Sequence, residues 1–264
     1  MRLLRRILIT VAGTLAVALI GLNWIVPVVL SFYAAKKAPP VTRVVPIDLK
    51  DHSVSLIPGQ TLSYFGYEFE VPWSDLDESQ TKFYPTSTSE KTKVDLQFRS
   101  GLRLLFSVIP PRTWAKQLAA NSNVSQEAIE AVFGHETMKS DYSFINALYE
   151  FTPDKMNHWG LQRGLSRDEF LLIIKSLALP QSAEAGIFKV RSQTSQGFQY
   201  GNPQFRKDNV VFDLYSDEDS VEMILFQKNY RNSAGVTQPE INRIVQSLRR
   251  KRLEEPAASA IANR

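Results

Sequence analysis

Cysteine is absent from the 264 residues, and histidine occurs only three times. The first absence removes disulfides, thiolate nucleophiles, cysteine-based zinc sites and the lipoprotein processing that needs a cysteine. The second leaves little for imidazole chemistry. His52 follows a proline-rich stretch, His135 sits in a Gly-His-Glu turn, and His158 stands beside Trp159. None has a second His, Cys or carboxylate at ligand spacing, and His135-Glu136 lacks the second histidine of H-E-x-x-H. They read as surface or locally bonded imidazoles. No P-loop and no G-x-G-x-x-G occurs. Gly164-Leu165-Ser166-Arg167-Asp168 departs from G-x-S-x-G at its last position, and Ser166 suits a helix cap. The sequence therefore assigns no catalytic, cofactor or metal residue, although a triad built from distant residues stays open.

An excess of one charge is missing too. The formal net charge is +4, from 31 basic and 27 acidic residues. Three of the basic residues are Arg2, Arg5 and Arg6, in an N-terminal tail without acids, and the remainder nearly balances. This is no nucleic-acid binder. Arg249 to Arg252 form a basic run after a predicted helix, where cations complement the helix dipole. Contact with anionic lipid is the alternative.

Charge is wholly missing from Ile7 to Ala35, 29 residues bounded by Arg5 and Arg6 before and Lys36 and Lys37 after. As a helix this run would reach about 43 Å, against about 30 Å of bilayer hydrocarbon. It predicts a transmembrane helix over 7–35, with a cytoplasmic tail over 1–6. Ala16-Val17-Ala18 matches a signal-peptidase site, but the apolar residues run on through Ile20, Leu22, Trp24 and Ile25. Retention as a signal-anchor is the favoured reading. Basic residues lie on both flanks, and the short basic leader favours export of the C-terminal domain.

Pro39, Pro40 and Pro46 then predict an extended stalk over 36–52. One domain is expected over 53–252, and Leu253 to Arg264 reads as a disordered tail. Within the domain, Tyr67, Phe69 and Val71 alternate with Glu68 and Glu70, the period of a half-buried strand after a turn at Gly66. "VDLQFRSGLRLLFSV" reads as a hairpin turning at Arg99-Ser100-Gly101. A helical block comes next. "TWAKQLAA", "SQEAIEAVF" and "DYSFINALYEF", the last capped by Ser140, precede "FLLIIKSLAL", which is apolar enough to be wedged inside the fold. Strands return in "GIFKVRSQ", "FQYG", "NVVFDLYS" and "VEMILFQ". Thr237 and Glu240 then form a capping box ahead of Ile241, Ile244, Val245 and Leu248 at i, i+3, i+4 and i+7. Strands, helices, strands, helix: the order predicts an α+β domain with an antiparallel β-sheet, a central helical block and a closing amphipathic helix.

A sheet of hairpins closed by "TQPEINRIVQSL" resembles the end of PsbP-like α/β/α sandwich domains, over roughly the last 80 residues and without a specific motif. The resemblance implies a binding or assembly role without a shared active site.

Two acidic stretches, Asp75-Asp77-Glu78 and Asp217-Glu218-Asp219, lack the glycine and distal glutamate of an EF-hand and read as solvated turns. Asn123-Val124-Ser125 matches a glycosylation sequon, though Ser125 also suits a helix cap. Between two strands, Ser74 to Lys93 reads as a twenty-residue polar loop. Trp73, Phe83 and Tyr84 give it aromatic anchors of the kind protein interfaces favour. Either those rings contact a protein partner or they pack back on the sheet. The expectation is a single-pass protein of the cell membrane, held in the lipid bilayer by 7–35, with an extracytoplasmic domain that binds a protein or serves as an envelope module. A membrane-anchored, metal-independent hydrolase using carboxylates such as Asp95 or Asp213 is the rival.

Overall fold

The computed structural model describes residues 28–29, 31–33, 35–84, 92–111, 127, 130, 133–157, 167–204, 209–227 and 235–251. Most of the expected anchor, "TWAKQLAA", the sequon and the tail lie outside these. Of "SQEAIEAVF", only Glu127, Glu130 and Phe133 are described, and they are helical. Among the described residues no helix is long and apolar enough to cross a membrane.

The described secondary structure is sheet-dominated with few helices, an α+β arrangement. Its strands are β1 (Ile47–Asp48), β2 (Gln60–Tyr64), β3 (Tyr67–Val71), β4 (Lys82–Tyr84), β5 (Thr92–Gln97), β6 (Arg103–Ile109), β7 (Ile187–Arg191), β8 (Gln196–Tyr200), β9 (Val210–Tyr215), β10 (Ser220–Phe226) and β11 (Arg249–Arg250). Its α-helices are α1 (Asp141–Glu150), α2 (Arg167–Ala178) and α3 (Gln238–Ser247). An eight-stranded sheet runs β1-β7-β8-β9-β10-β6-β5-β4, and a three-stranded sheet runs β11-β3-β2. All pairings are antiparallel except β1 with β7.

Contacts divide the chain into two compact units. One contains the described residues up to Val45 together with Ala147–Leu179; the other contains Pro46–Asn146 and the residues from Pro180 onward.

The second unit holds the main core. Alternation sends Val94, Leu96, Leu104, Phe106, Phe212, Leu214, Met223 and Leu225 to one face of the large sheet. There they meet Tyr67, Phe69 and Val71 of β3 and the α3 stripe of Ile241, Ile244, Val245 and Leu248, buried as its spacing predicts. Helix α3 starts where the capping box puts it: Thr237 N donates to Glu240 Oε2 at 2.7 Å and Glu240 N to Thr237 Oγ1 at 3.4 Å. The basic run follows α3, which ends at Ser247: Arg249 and Arg250 pair with β3, where Arg249 bonds Glu68 at 2.9 Å. Residues 47–52, at the end of the expected stalk, make contacts with the domain. β1 adds to the sheet edge, and Asn242 Nδ2 donates to Asp51 O and Ser53 O at 2.8 and 2.7 Å. Arg243 reaches Ser55 O at 3.2 Å, so the segment is laced along α3.

In the first unit, Pro40–Arg43 form a 3-10 turn and Arg43 pairs with Asp154 at 3.1 Å. Leu171, Leu172 and Ile174 of α2 are buried, but Ile173 and Leu177 are exposed, so this helix is not wedged inside on all sides. Lys175 is fully buried instead. Its ammonium donates to Val44 O, Tyr149 O and Phe151 O at 2.8, 2.7 and 2.8 Å. Tyr149 and Phe151 lie at the C-terminal end of α1, so the lysine donates to carbonyls where the intrahelical ladder stops.

Candidate functional site

Of the polar stretch from Ser74 to Lys93, the described part up to Tyr84 holds more regular structure than a plain loop. Asp75 Oδ2 accepts from Ser100 N at 2.6 Å, and Asp77 Oδ1 accepts from Ser79 N at 3.1 Å. Leu76 forms a bridge with Phe98, and Glu78–Gln80 make a 3-10 turn. The chain then enters β4, the last strand of the large sheet, with Phe83 opposite Val94 and Tyr84 opposite Lys93. Asp75 and Asp77 of the first acidic stretch therefore work as turn and cap acceptors. In the second, Asp219 accepts from Tyr67 Oη, from Ser216 Oγ at 3.1 Å and from Arg250 at 3.0 Å. Burial first, then this bond, pushes the Tyr67 phenol well above its ordinary range. Among the described residues no cluster of three His, Cys, Asp or Glu could hold a metal.

Of the three aromatic candidates, Phe83 and Tyr84 are on the surface and Trp73 is not. Trp73 is 7 % exposed and packs edge-on against Phe98 at 5.3 Å between ring centroids, so it leaves the set of partner-facing residues. Phe83 is 60 % exposed and Tyr84 44 %. Period 2 sends them to opposite faces of the sheet edge. Phe83 leans on Tyr64 at 6.0 Å and edge-on to Phe65 at 6.3 Å. Tyr84 carries the Lys93 ammonium 5.3 Å from its ring centre, while its hydroxyl lies 3.5 Å from Asp95. Asp95 is buried and held by Arg103, whose Nε donates at 2.6 Å; that bond first raises the guanidinium pKa.

Two members of this patch, Tyr64 and Phe65, escaped the sequence reading. They end β2 and open the turn to β3, in which Phe65 has φ 53° and Gly66 φ 80°. Asparagine or glycine is the ordinary occupant of such a turn, and a bulky residue there costs about 1 kcal/mol or more. The signal was present: an aromatic pair directly before the turn glycine in "SYFGY".

The assembled edge has three parts within the second unit. The backbone of Lys82–Tyr84 has no strand partner on its outer side among the described residues. Tyr64, Phe65 and Phe83 flank it on one face, and Tyr84 with Lys93 on the other. An unpaired edge with side-chain contacts on both faces can accept an added strand, with main-chain bonds supplying affinity and the rings supplying selectivity.

A cleft of about 820 Å³ opens elsewhere in this unit, lined among others by Asp48, His52, Tyr142, Arg191 and Gln196. Several of its polar groups are occupied by the fold. Asn242 serves Asp51 O and Ser53 O, Gln246 serves His52 O at 3.3 Å, and Ser192 Oγ donates to Ser195 O at 3.3 Å. No nucleophile is bonded to a base among these contacts. The carboxylates of the hydrolase reading are not brought together either. Asp95 is on β5 and Asp213 on β9, three strands apart, or about 14 Å at ordinary strand spacing.

No family model, curated protein or solved structure matches the chain closely enough to show kinship.

Proposed function

We propose that this is a single-pass membrane protein whose extracytoplasmic α+β domain binds a protein partner by strand addition at the β4 edge. The observation that carries the binding reading is an outermost strand with two exposed aromatic residues, backed by a strained aromatic turn. Lys82 in the strand and Pro85 just after it guard the edge against indiscriminate pairing, and two exposed rings on so short a strand favour a specific partner. A binding or assembly role is also what the PsbP-like resemblance implies. Phe83→Ala with Tyr84→Ala should cut crosslinked partner in intact membranes about tenfold, since aromatic anchors dominate interface energetics. The melting temperature should move little, because both rings are exposed at the sheet edge. Undiminished capture would put the interface elsewhere and reopen the hydrolase reading.

The anchor reading rests on the uncharged run from Ile7 to Ala35. After carbonate washing the chain should stay in the membrane fraction, and its intact mass should include residues 1–35. A mature N-terminus at Leu19, or anywhere before Lys36, would overturn retention.

A further inference from the structure

Helix α2 buries Leu171, Leu172 and Ile174, yet its other face breaks the usual pattern. Lys175 is fully buried, whereas Leu177 is 80 % and Ile173 45 % exposed. At 100° per residue, positions 173 and 177 each lie about 160° from Lys175, on the far side of the helix. A helix facing water puts its charge outward and its leucine and isoleucine inward. At Ile173, Lys175 and Leu177 this one does the opposite, and the carbonyls of Val44, Tyr149 and Phe151 hold the charge inside.

The same unit has a second outward apolar stripe. Val29, Phe32 and Tyr33, at i, i+3 and i+4 of the helical segment that ends the uncharged run, are all exposed. Two bonds tie α2 to the end of that run. Arg43 Nη2 donates to Ala35 O at 3.0 Å, and Lys175 Nζ donates to Val44 O at 2.8 Å. Side-chain reach is limited by bond lengths, so Lys175 lies within roughly 20 Å of Ala35. Lys36 and Lys37 come next in the chain, both exposed, where cations meet lipid headgroups.

We infer that the outward face of α2, through Ile173 and Leu177, rests in the interfacial layer of the bilayer that holds the N-terminal run. Lipid is the occupant that accounts for both observations: an apolar face turned outward, and a helix held within roughly 20 Å of the point where the uncharged run ends. This inference rests on the anchor reading above.

The absence of cysteine makes the test direct. Single-cysteine variants Ile173→Cys, Leu177→Cys, Leu15→Cys and Thr61→Cys of the full chain are labelled with an environment-sensitive dye. They are then reconstituted into phosphatidylcholine vesicles containing phosphatidylglycerol. Labels at 173 and 177 should be quenched about twofold more than the label at 61 by lipids brominated near the headgroup, the depth reached by an interfacial helix. They should also resist iodide in the water. If both are open to iodide while the label at 15 is quenched by lipid, the anchor stands and the α2 inference falls. Shielding of 173 and 177 from both quenchers overturns it as well, because a protein surface then covers the face. If the label at 15 is itself open to iodide, the anchor reading fails and the inference with it.

Discussion

Ile244→Asp should lower the unfolding free energy by at least about 4 kcal/mol, most of what a domain of ordinary stability has. Ile244 is fully buried in the middle of the α3 stripe, within the cluster that includes Phe69, Phe106 and Leu225. The substitution removes an aliphatic side chain, worth about 2–4 kcal/mol in a rigid core, and places a carboxylate where no water reaches it. Protonation would limit the loss, so the variant should be least unstable near pH 4 and worst at neutral pH. Urea unfolding followed by tryptophan fluorescence gives the number. Ile244→Val, which keeps the stripe apolar, should cost about 0.5–1.5 kcal/mol and separates packing from charge. A wild-type midpoint for Ile244→Asp would mean that α3 is not docked on the sheet.

Lys175→Met should open the first unit. The variant has nearly the shape of lysine but leaves three carbonyls, Val44 O, Tyr149 O and Phe151 O, without their donor. At about 1 kcal/mol or more each, offset by the relief of a buried charge, the net loss is about 2–3 kcal/mol. Amide exchange at the C-terminal end of α1 and along α2 should accelerate about 30- to 150-fold. The second unit serves as the internal control. Wild type should also respond to pH in a way the variant does not. Burial first, and the Lys155 charge second, bring the Lys175 ammonium down to about 8 from its ordinary 10.5. Between those values the unfolded chain still binds the proton that the folded chain has released. Raising the pH through this window therefore favours the folded form, by up to about 3 kcal/mol relative to Lys175→Met. Below pH 8 both states are protonated and the dependence vanishes. Equal pH profiles for the two proteins would mean that Lys175 is solvated.

Local rules carried far in this chain where they describe neighbours along the backbone. Alternation in "YEFEV" placed Tyr67, Phe69 and Val71 on one buried face, and the hairpin of β5 and β6 turns at Ser100 and Gly101. Thr237 and Glu240 start α3, while Ser140 Oγ accepts from Ser143 N at 3.1 Å and caps α1. These features depend on bonds spanning three or four residues, or on a period of two, and the residue types alone determine them.

What the sequence could not rank was burial among residues of the same kind. Trp73 and Phe83 lie ten positions apart, one just before the polar stretch and one midway along it, yet one is inside and the other outside. Phe98, across the Leu76 bridge, covers the first, while β4 ends the sheet and leaves the second uncovered. Tyr64 and Phe65 joined the patch only because the β2–β3 turn faces β4. Lys175 is the plainest case. By its own sequence it is the one charge on an otherwise apolar stretch and belongs in water. Carbonyls 24, 26 and 131 residues away take it inside and turn Ile173 and Leu177 outward. Periodicity and capping are local, so the sequence alone determines them. Whether a side chain is buried depends on partners that only the folded chain brings within reach, and that part tertiary structure decided.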